Sequence, residues 1–301
     1  MMPWRHVLLA IAFTILVGLG FPAVKLGMSE APPLFLTAMR FTFSAFPAVF
    51  FIRKPNVTWG ILLLYGLFIG VLQFGLLNSA VYLGFPSGLS SLVMQCQVFF
   101  TILLAFFVLH ERPTNWQIAG ALVAFSGVAV IGAGRMQALE QGAGQGALVG
   151  FAMLLAAALA WAGGNLVVKF VKGVNMLAFT VWTGLISPIP LLILSYFIEG
   201  PSAWSALSRL NFNFVAPVLY MAFGATLTGF GIWNWLLARH SAAQVTPFAL
   251  LIPVVGFASG IFFFGETLHS AEVFGAGLIF AGLCLNVFGK RVWNSLSPER
   301  G

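Results

Sequence analysis

Three stripes of polar and aromatic residues carry the chemistry open to this 301-residue chain. Asn78 and Tyr82 stand four residues apart, as do Ser91 and Gln95, and Trp161, Asn165 and Lys169 repeat the interval. Positions four apart lie on one helix face, so the stripes offer amides and hydroxyls close to rings. Gln73 extends the first stripe, and Gly88 and Phe99 extend the second. Thr226, Gly229 and Trp233 define a further face, and Gln244 and Thr246 follow it. Groups of this kind bind without breaking bonds. A pocket for a small amphipathic molecule needs apolar walls and a few convergent polar groups. The expected lining is Asn78, Tyr82, Ser91, Gln95, Trp161 and Asn165, with Trp233 from the opposite half. The same groups could instead serve as interhelical hydrogen-bonding glue, and spacing alone leaves both uses open.

What the chain lacks is equally informative. It contains no Asp, and its seven Glu fall in loops or at the ends of apolar runs. His6, His110, His240 and His269 also sit near ends. An integral-membrane enzyme would need Asp, His or metal-ligand clusters at one face, so no catalytic residue, cofactor or metal site is predicted. Proton-driven carriers relay through an intramembrane carboxylate or His, so no internal proton relay is expected either. Glu111 and Glu266 read as helix-end anchors, and Lys169 reads as a snorkelling helix end. Cys96 and Cys284 read as small apolar filler with no disulfide between them.

Arg40 is the one charge well inside an apolar run, roughly 10 Å from its start at 1.5 Å per residue. An Arg at helix centre costs about 2.5–3.5 kcal/mol on the insertion scale, which calls for a partner or a wet route. Recognition of a substrate carboxylate is one reading. The preferred one is structural, a clamp on outer-end carbonyls or on Glu266.

The elements that must position these groups are membrane spans. The chain is 60% hydrophobic and 7% charged, with a mean hydropathy of +1.00, against roughly 25% charge in soluble domains. Apolar runs of about 20 residues without strand-like alternation specify helices and not a barrel. The fold class is all-α integral membrane. Ten transmembrane helices are expected near Val7–Leu26, Pro33–Ile52, Ile61–Leu83, Gly88–Leu109, Trp116–Ala133, Ala147–Val171, Met176–Ile198, Phe214–Leu237, Ala242–Phe264 and Ala271–Gly289. Pro22, Pro47, Pro188, Pro190, Pro217, Pro247, Pro253 and the Gly163-Gly164 pair break or kink them, which suits helices around a cavity.

The two halves repeat. Ser91–Val130 matches Thr246–Leu285, pairing Glu111 with Glu266, and Lys25 is echoed by Lys169. With five spans in each half, an odd number, the second copy is inverted, the device by which secondary transporters obtain two related states around a midplane site. The expected organisation is a first repeat over 1–133, a flexible loop over 134–146, an inverted repeat over 147–289 and a tail over 290–301. Glycines recurring every seven residues (Gly120 and Gly127; Gly275, Gly282 and Gly289) read as packing seams, inside the bundle or at a dimer contact.

Lys and Arg set the orientation. Arg5, Arg53, Lys54, Arg112, Lys172, Arg239, Lys290, Arg291 and Arg300 share one side, leaving Arg135 and Arg209 on the other, with Lys25 at a helix end on that outer side. Both termini are therefore expected in the cytoplasm, and the net charge of +7 reflects this bias and no nucleic-acid surface. The partners expected are the lipid bilayer and a small-molecule substrate. One chain carries both repeats, which suits a monomer.

These residues resemble the drug/metabolite transporter superfamily, specifically its ten-span EamA-type exporters. The likeness is carried by Pro32-Pro33-Leu34, Met39-Arg40-Phe41, Gly88 through Thr101, and Glu111-Arg112 before Gly120. In the second half it is carried by Ala160-Trp161-Ala162-Gly163-Gly164-Asn165, Gly229 through Trp233, Leu251 through Gly256, and Gly265-Glu266. It covers nearly the whole chain and is closest to bacterial amino-acid exporters. The resemblance implies an inner-membrane exporter of amino acids and related metabolites working by alternating access, with drugs or nucleotide sugars as the superfamily's other cargoes. Small multidrug carriers use a first-span Glu, absent here, and phosphorylated cargo would call for clustered intramembrane Lys and Arg. The first span departs from the family pattern, reading Val17-Gly18-Leu19-Gly20-Phe21, so the resemblance assigns it no part in a pocket.

Overall fold

The computed structural model describes residues 2–140, 145–171, 173–208, 211–240, 242–267 and 269–296, and all their regular structure is helical. Nine helices are long and apolar enough to cross a membrane: Trp4–Gly27, Pro33–Phe50, Trp59–Tyr82, Ser87–Leu109, Asn115–Gln137, Leu148–Lys169, Met176–Ile198, Phe212–Trp233 and Ser270–Gly289. Leu251–Phe264 is shorter. With Ala242–Ala249 before it and a break at Leu250, it stands where the ninth crossing in chain order is expected. The fold is the expected all-α membrane bundle.

Contacts between helix ends show how the spans alternate. Lys25, closing the first span, reaches Glu266 just past the ninth, and Glu266 also accepts from Ser87 and Gly88, which open the fourth. Lys169, closing the sixth span, reaches Glu111 just past the fourth. The first and sixth spans therefore run in opposite senses, as an odd number of crossings per half requires. Below, the near face is the side of Trp4 and the far face that of Lys25.

Helix starts in lipid must find acceptors for their free N–H groups. The Asn175 side chain accepts from Leu177 and Ala178, and Asn211 accepts from Phe214. The second span opens on Pro32-Pro33, and Glu199 from the end of the seventh span accepts from Leu34 and Phe35 at 2.6 and 3.1 Å.

The glycine seam is internal. The fifth and tenth spans lie against each other along it: a Cβ on Gly127 would fall 2.9 Å from the Leu278 side chain, and one on Gly282 would fall 2.8 Å from Ala124. Gly134 to Glu140, expected in the flexible loop, instead continue the helix Asn115–Glu140, and Gly146 opens the next. Helix propensity of Met136 to Leu139 and an ion pair from Arg135 to Glu272 extend it past the membrane. The rest of that expected loop, 141–144, and the orientation markers Lys172, Arg209 and Arg300 lie outside the described residues.

Most spans are interrupted. The first breaks at Leu19, the fourth passes through a 3₁₀ turn at Met94–Cys96, and the seventh restarts at Pro188. The third and eighth spans each carry a wide-turn π segment, Gly66–Gln73 and Tyr220–Gly229, at corresponding places in the two repeats. Such segments cluster at functional sites because they displace side chains from the regular helix register.

Candidate functional site

Two cavities sharing a wall occupy the centre of the bundle. The first, about 80 Å³, is lined by Val17, Gly20, Phe21 and Val24 of the first span, with Leu77, Ser91, Gln95 and Ile252 among the others. The departure of the first span from the family pattern thus does not remove it from the pocket. The second cavity, about 250 Å³, is lined also by Tyr65, Ile69 and Met176, which lie toward the near-face ends of their helices, and by Asn165, Thr226 and Trp233. Arg40, Gln73, Phe74 and Trp161 line both.

Arg40 is therefore central, and it makes neither of the clamps expected of it. Its Nε and Nη2 donate to the Thr226 hydroxyl at 3.3 and 3.0 Å, and its guanidinium lies 4.0 Å from the centre of the Phe74 ring. Cation–π contact of this kind holds a charge on an apolar wall. The Thr226 hydroxyl donates in turn to the Met221 carbonyl, five residues back in the π segment.

The stripes divide. Gln95 and Trp161 line the first cavity, Trp161 and Asn165 line the second, and Trp233 stands there stacked on Phe13 at 4.5 Å. Asn165 also donates to Gln97 and Thr101 at 2.9 and 3.0 Å, tying the sixth span to the fourth. Ser91 reaches the first cavity, but its hydroxyl donates to the carbonyls of Gly88 and Pro253. Asn78 lines neither cavity: fully buried, it donates to Thr37 at 2.7 Å and joins the second and third spans. Tyr82 lines neither cavity and is 58% exposed at the far end of its helix. A four-residue interval puts it on Asn78's face, one turn further on at the helix's last residue, where it is left exposed.

An ion pair closes each end. At the far face Lys25 donates to Glu266 at 2.7 Å, and Glu266 also takes the Ser87 N–H, the Ser87 hydroxyl and the Gly88 N–H at 2.9, 2.8 and 3.0 Å. Burial opposes ionisation of Glu266, yet Lys25 and these donors outweigh it and hold its carboxyl below the usual range. Glycines make the approach possible, since a Cβ on Gly260 would meet the carboxylate at 2.5 Å. At the near face Lys169 donates to Glu111 at 2.6 Å in an exposed pair. Each pair links one repeat to the other, and the repeat operation exchanges them.

Comparison with known proteins agrees with this architecture. The EamA-like transporter family model matches residues 4–133 and 148–288. The chain belongs to the EamA-like transporter family. It is 41% identical over 289 residues to a probable amino-acid metabolite efflux pump of Salmonella typhimurium, covering 94% of this chain and 95% of that one. A protein of the same description in Escherichia coli is 38% identical over 288 residues, covering 94% and 95%. A solved crystal structure sharing 18% identity superposes with a TM-score of 0.62 over 96% of this chain and 99% of its own, and shows the same fold.

This EamA-like protein is thus a multi-pass membrane transporter of small molecules and not an enzyme. Three features of the structure escaped the sequence reading. Gln73, flagged only as a neighbour of Asn78, lines both cavities. Gly66 and Gly70, on the same span, belong to a π segment. Lys25 and Lys169 repeat in the sequence, as do Glu111 and Glu266, but their joining into crossed pairs needed the packing.

Proposed function

We propose that this protein exports amino acids and related small metabolites across the bacterial inner membrane by alternating access, with both termini in the cytoplasm. The observation that carries the mechanism is the exchange-related pair of ion pairs flanking one central site. A transporter that rocks one repeat against the other around a fixed site needs a closure at each face. Lys25–Glu266 and Lys169–Glu111 supply equivalent closures from equivalent residues. The arrangement described has a buried, multiply bonded far closure, an exposed near one, and the larger cavity toward the near face. Such asymmetry suits the loading state of an exporter.

The descriptions of its relatives support the substrate class, as do apolar walls carrying Gln95, Asn165 and Arg40. The uneven distribution of Lys and Arg supports the orientation. In the working reading, residues 1–133 and 147–289 are the two inverted repeats, and no covalent step occurs.

Purified protein in liposomes, given the twenty radiolabelled L-amino acids, tests this reading. Uptake down a substrate gradient without an imposed proton gradient is expected. Failure to move any of the twenty would refute the substrate class, and strict dependence on a proton gradient would point to a missed relay through Glu111, Glu266 or a His.

A further inference from the structure

We propose that Arg40 and Gln73 read the two charged ends of a zwitterionic substrate, Arg40 binding its carboxylate and Gln73 its ammonium. This rests on the transport of amino acids proposed above and sharpens it, because a free carboxylate becomes a requirement.

Arg40 is 6% exposed and has no ion-pair partner among the described residues. The acidic groups that come into the bundle are each engaged elsewhere: Glu111 with Lys169, Glu199 with the Leu34 and Phe35 amides, Glu266 with Lys25, and Glu272 with Arg135. A guanidinium carries five donors in a planar fork. Here two nitrogens share one neutral oxygen, that of Thr226, while the residue borders both cavities. The Thr226 hydrogen is committed to Met221, so the hydroxyl acts toward Arg40 only as an acceptor. A carboxylate arriving in the cavity would find a fork suited to two parallel charge-assisted bonds, on a guanidinium already held against Phe74.

Gln73 supplies the complement. It is 1% exposed, lines both cavities beside Arg40, and its Oε1 has no donor among the described residues. A buried acceptor left without a donor is costly, and an ammonium group provides up to three. Gln73 is the last residue of the π segment Gly66–Gln73, so the displaced helix register delivers it to the cavity. Trp161, Phe21 and Leu77 then form an apolar wall for the rest of the molecule.

If Arg40 served only to hold the second π segment through Thr226, it would be indifferent to the substrate's charge. The test compares L-leucine, L-serine and L-phenylalanine with their carboxamides, which keep the ammonium, and with their 2-hydroxy acids, which keep the carboxylate. Each is supplied radiolabelled to proteoliposomes of the unaltered full chain. The carboxamides are expected to be moved about 10- to 100-fold less well than the amino acids, the worth of a hydrogen bond to a charged group. Arg40→Gln should erase that preference, and Arg40→Lys should keep part of it, having the charge without the fork. Gln73→Leu should lose discrimination against the hydroxy acids while still rejecting carboxamides.

Equal transport of acids and carboxamides overturns the proposal, as does parental transport by Arg40→Gln, or movement of no carboxylate at all. Should Arg40→Gln fail to fold, the comparison on unaltered protein decides alone. If the hydroxy acids move and the amino acids do not, the amino-acid reading and the part given to Gln73 fall, while the assignment of Arg40 stands.

Discussion

Replacing Glu266 by Gln keeps its size and removes its charge at the far closure. The carboxylate is 7% exposed and accepts from Lys25, from the Ser87 N–H and hydroxyl, and from the Gly88 N–H, at 2.7–3.0 Å. A carboxamide has one oxygen, so its nitrogen must face either the Gly88 N–H or the Ser87 pair, donor against donor. Losing one bond to a charged acceptor costs about 1.5–3 kcal/mol. Lys25 is 36% exposed, so solvent screening limits its share to roughly 0–1 kcal/mol. The closure should weaken by about 1.5–4 kcal/mol, a change of roughly 10- to 1,000-fold in the ratio of far-open to far-closed protein. Glu111→Gln is the control: its pair has side chains 39% and 56% exposed, and screening leaves it worth about 0–1 kcal/mol, no more than about fivefold.

The assay places a cysteine at Leu77, on the first cavity, in a background with Cys96 and Cys284 replaced by Ala. With the far face outward, as proposed, labelling by a membrane-impermeant maleimide added outside cells reports far-side opening. Glu266→Gln should accelerate it by about tenfold or more and Glu111→Gln hardly at all. An unchanged rate in Glu266→Gln, or an equal rise in both variants, would refute the reasoning.

The same carboxylate gives a pH prediction: because its folded pKa is depressed, its contribution is intact above the ordinary Glu value and lost as pH falls through the lower folded value. Far-side labelling, normalised at each pH to that of a permanently exposed cysteine, should rise in that acid window, and Glu266→Gln should abolish the rise. Trp161→Ala removes a wall shared by both cavities and should weaken substrate binding by about 1–3 kcal/mol; Gln95→Leu should impair transport in a protein that still folds. Parental transport by both would place the site elsewhere. Asn78→Leu gives up one bond to Thr37 but also removes a buried Oδ1 with no partner among the described residues, so melting in detergent should show a change within about 1 kcal/mol and transport should persist. A reporter active only outside the cytoplasm, fused after Arg300, should stay silent; activity there would reverse the orientation.

Sequence alone determined the class and crossings of this protein. Apolar runs of spanning length admit one structure in lipid, a helix that satisfies its own backbone, so each run maps onto a span almost without reference to its neighbours. The repeat in Lys25 and Lys169, and in Glu111 and Glu266, was legible for the same reason, being a property of the one-dimensional chain. Periodicity also assigned Gln95, Trp161 and Asn165 to faces that line the cavities. Only the tertiary structure decided which faces meet. Helical spacing fixes a side chain's azimuth but not the rotation of its helix against the next, so Asn78 turned to Thr37 and Tyr82 emerged beyond the packed core. The π segments add a second cause, shifting the register of the third and eighth spans midway and carrying Gln73 and Thr226 to the centre beside Arg40. The ion pairs show the same division, since charges far apart in sequence became partners through the antiparallel docking of the two repeats.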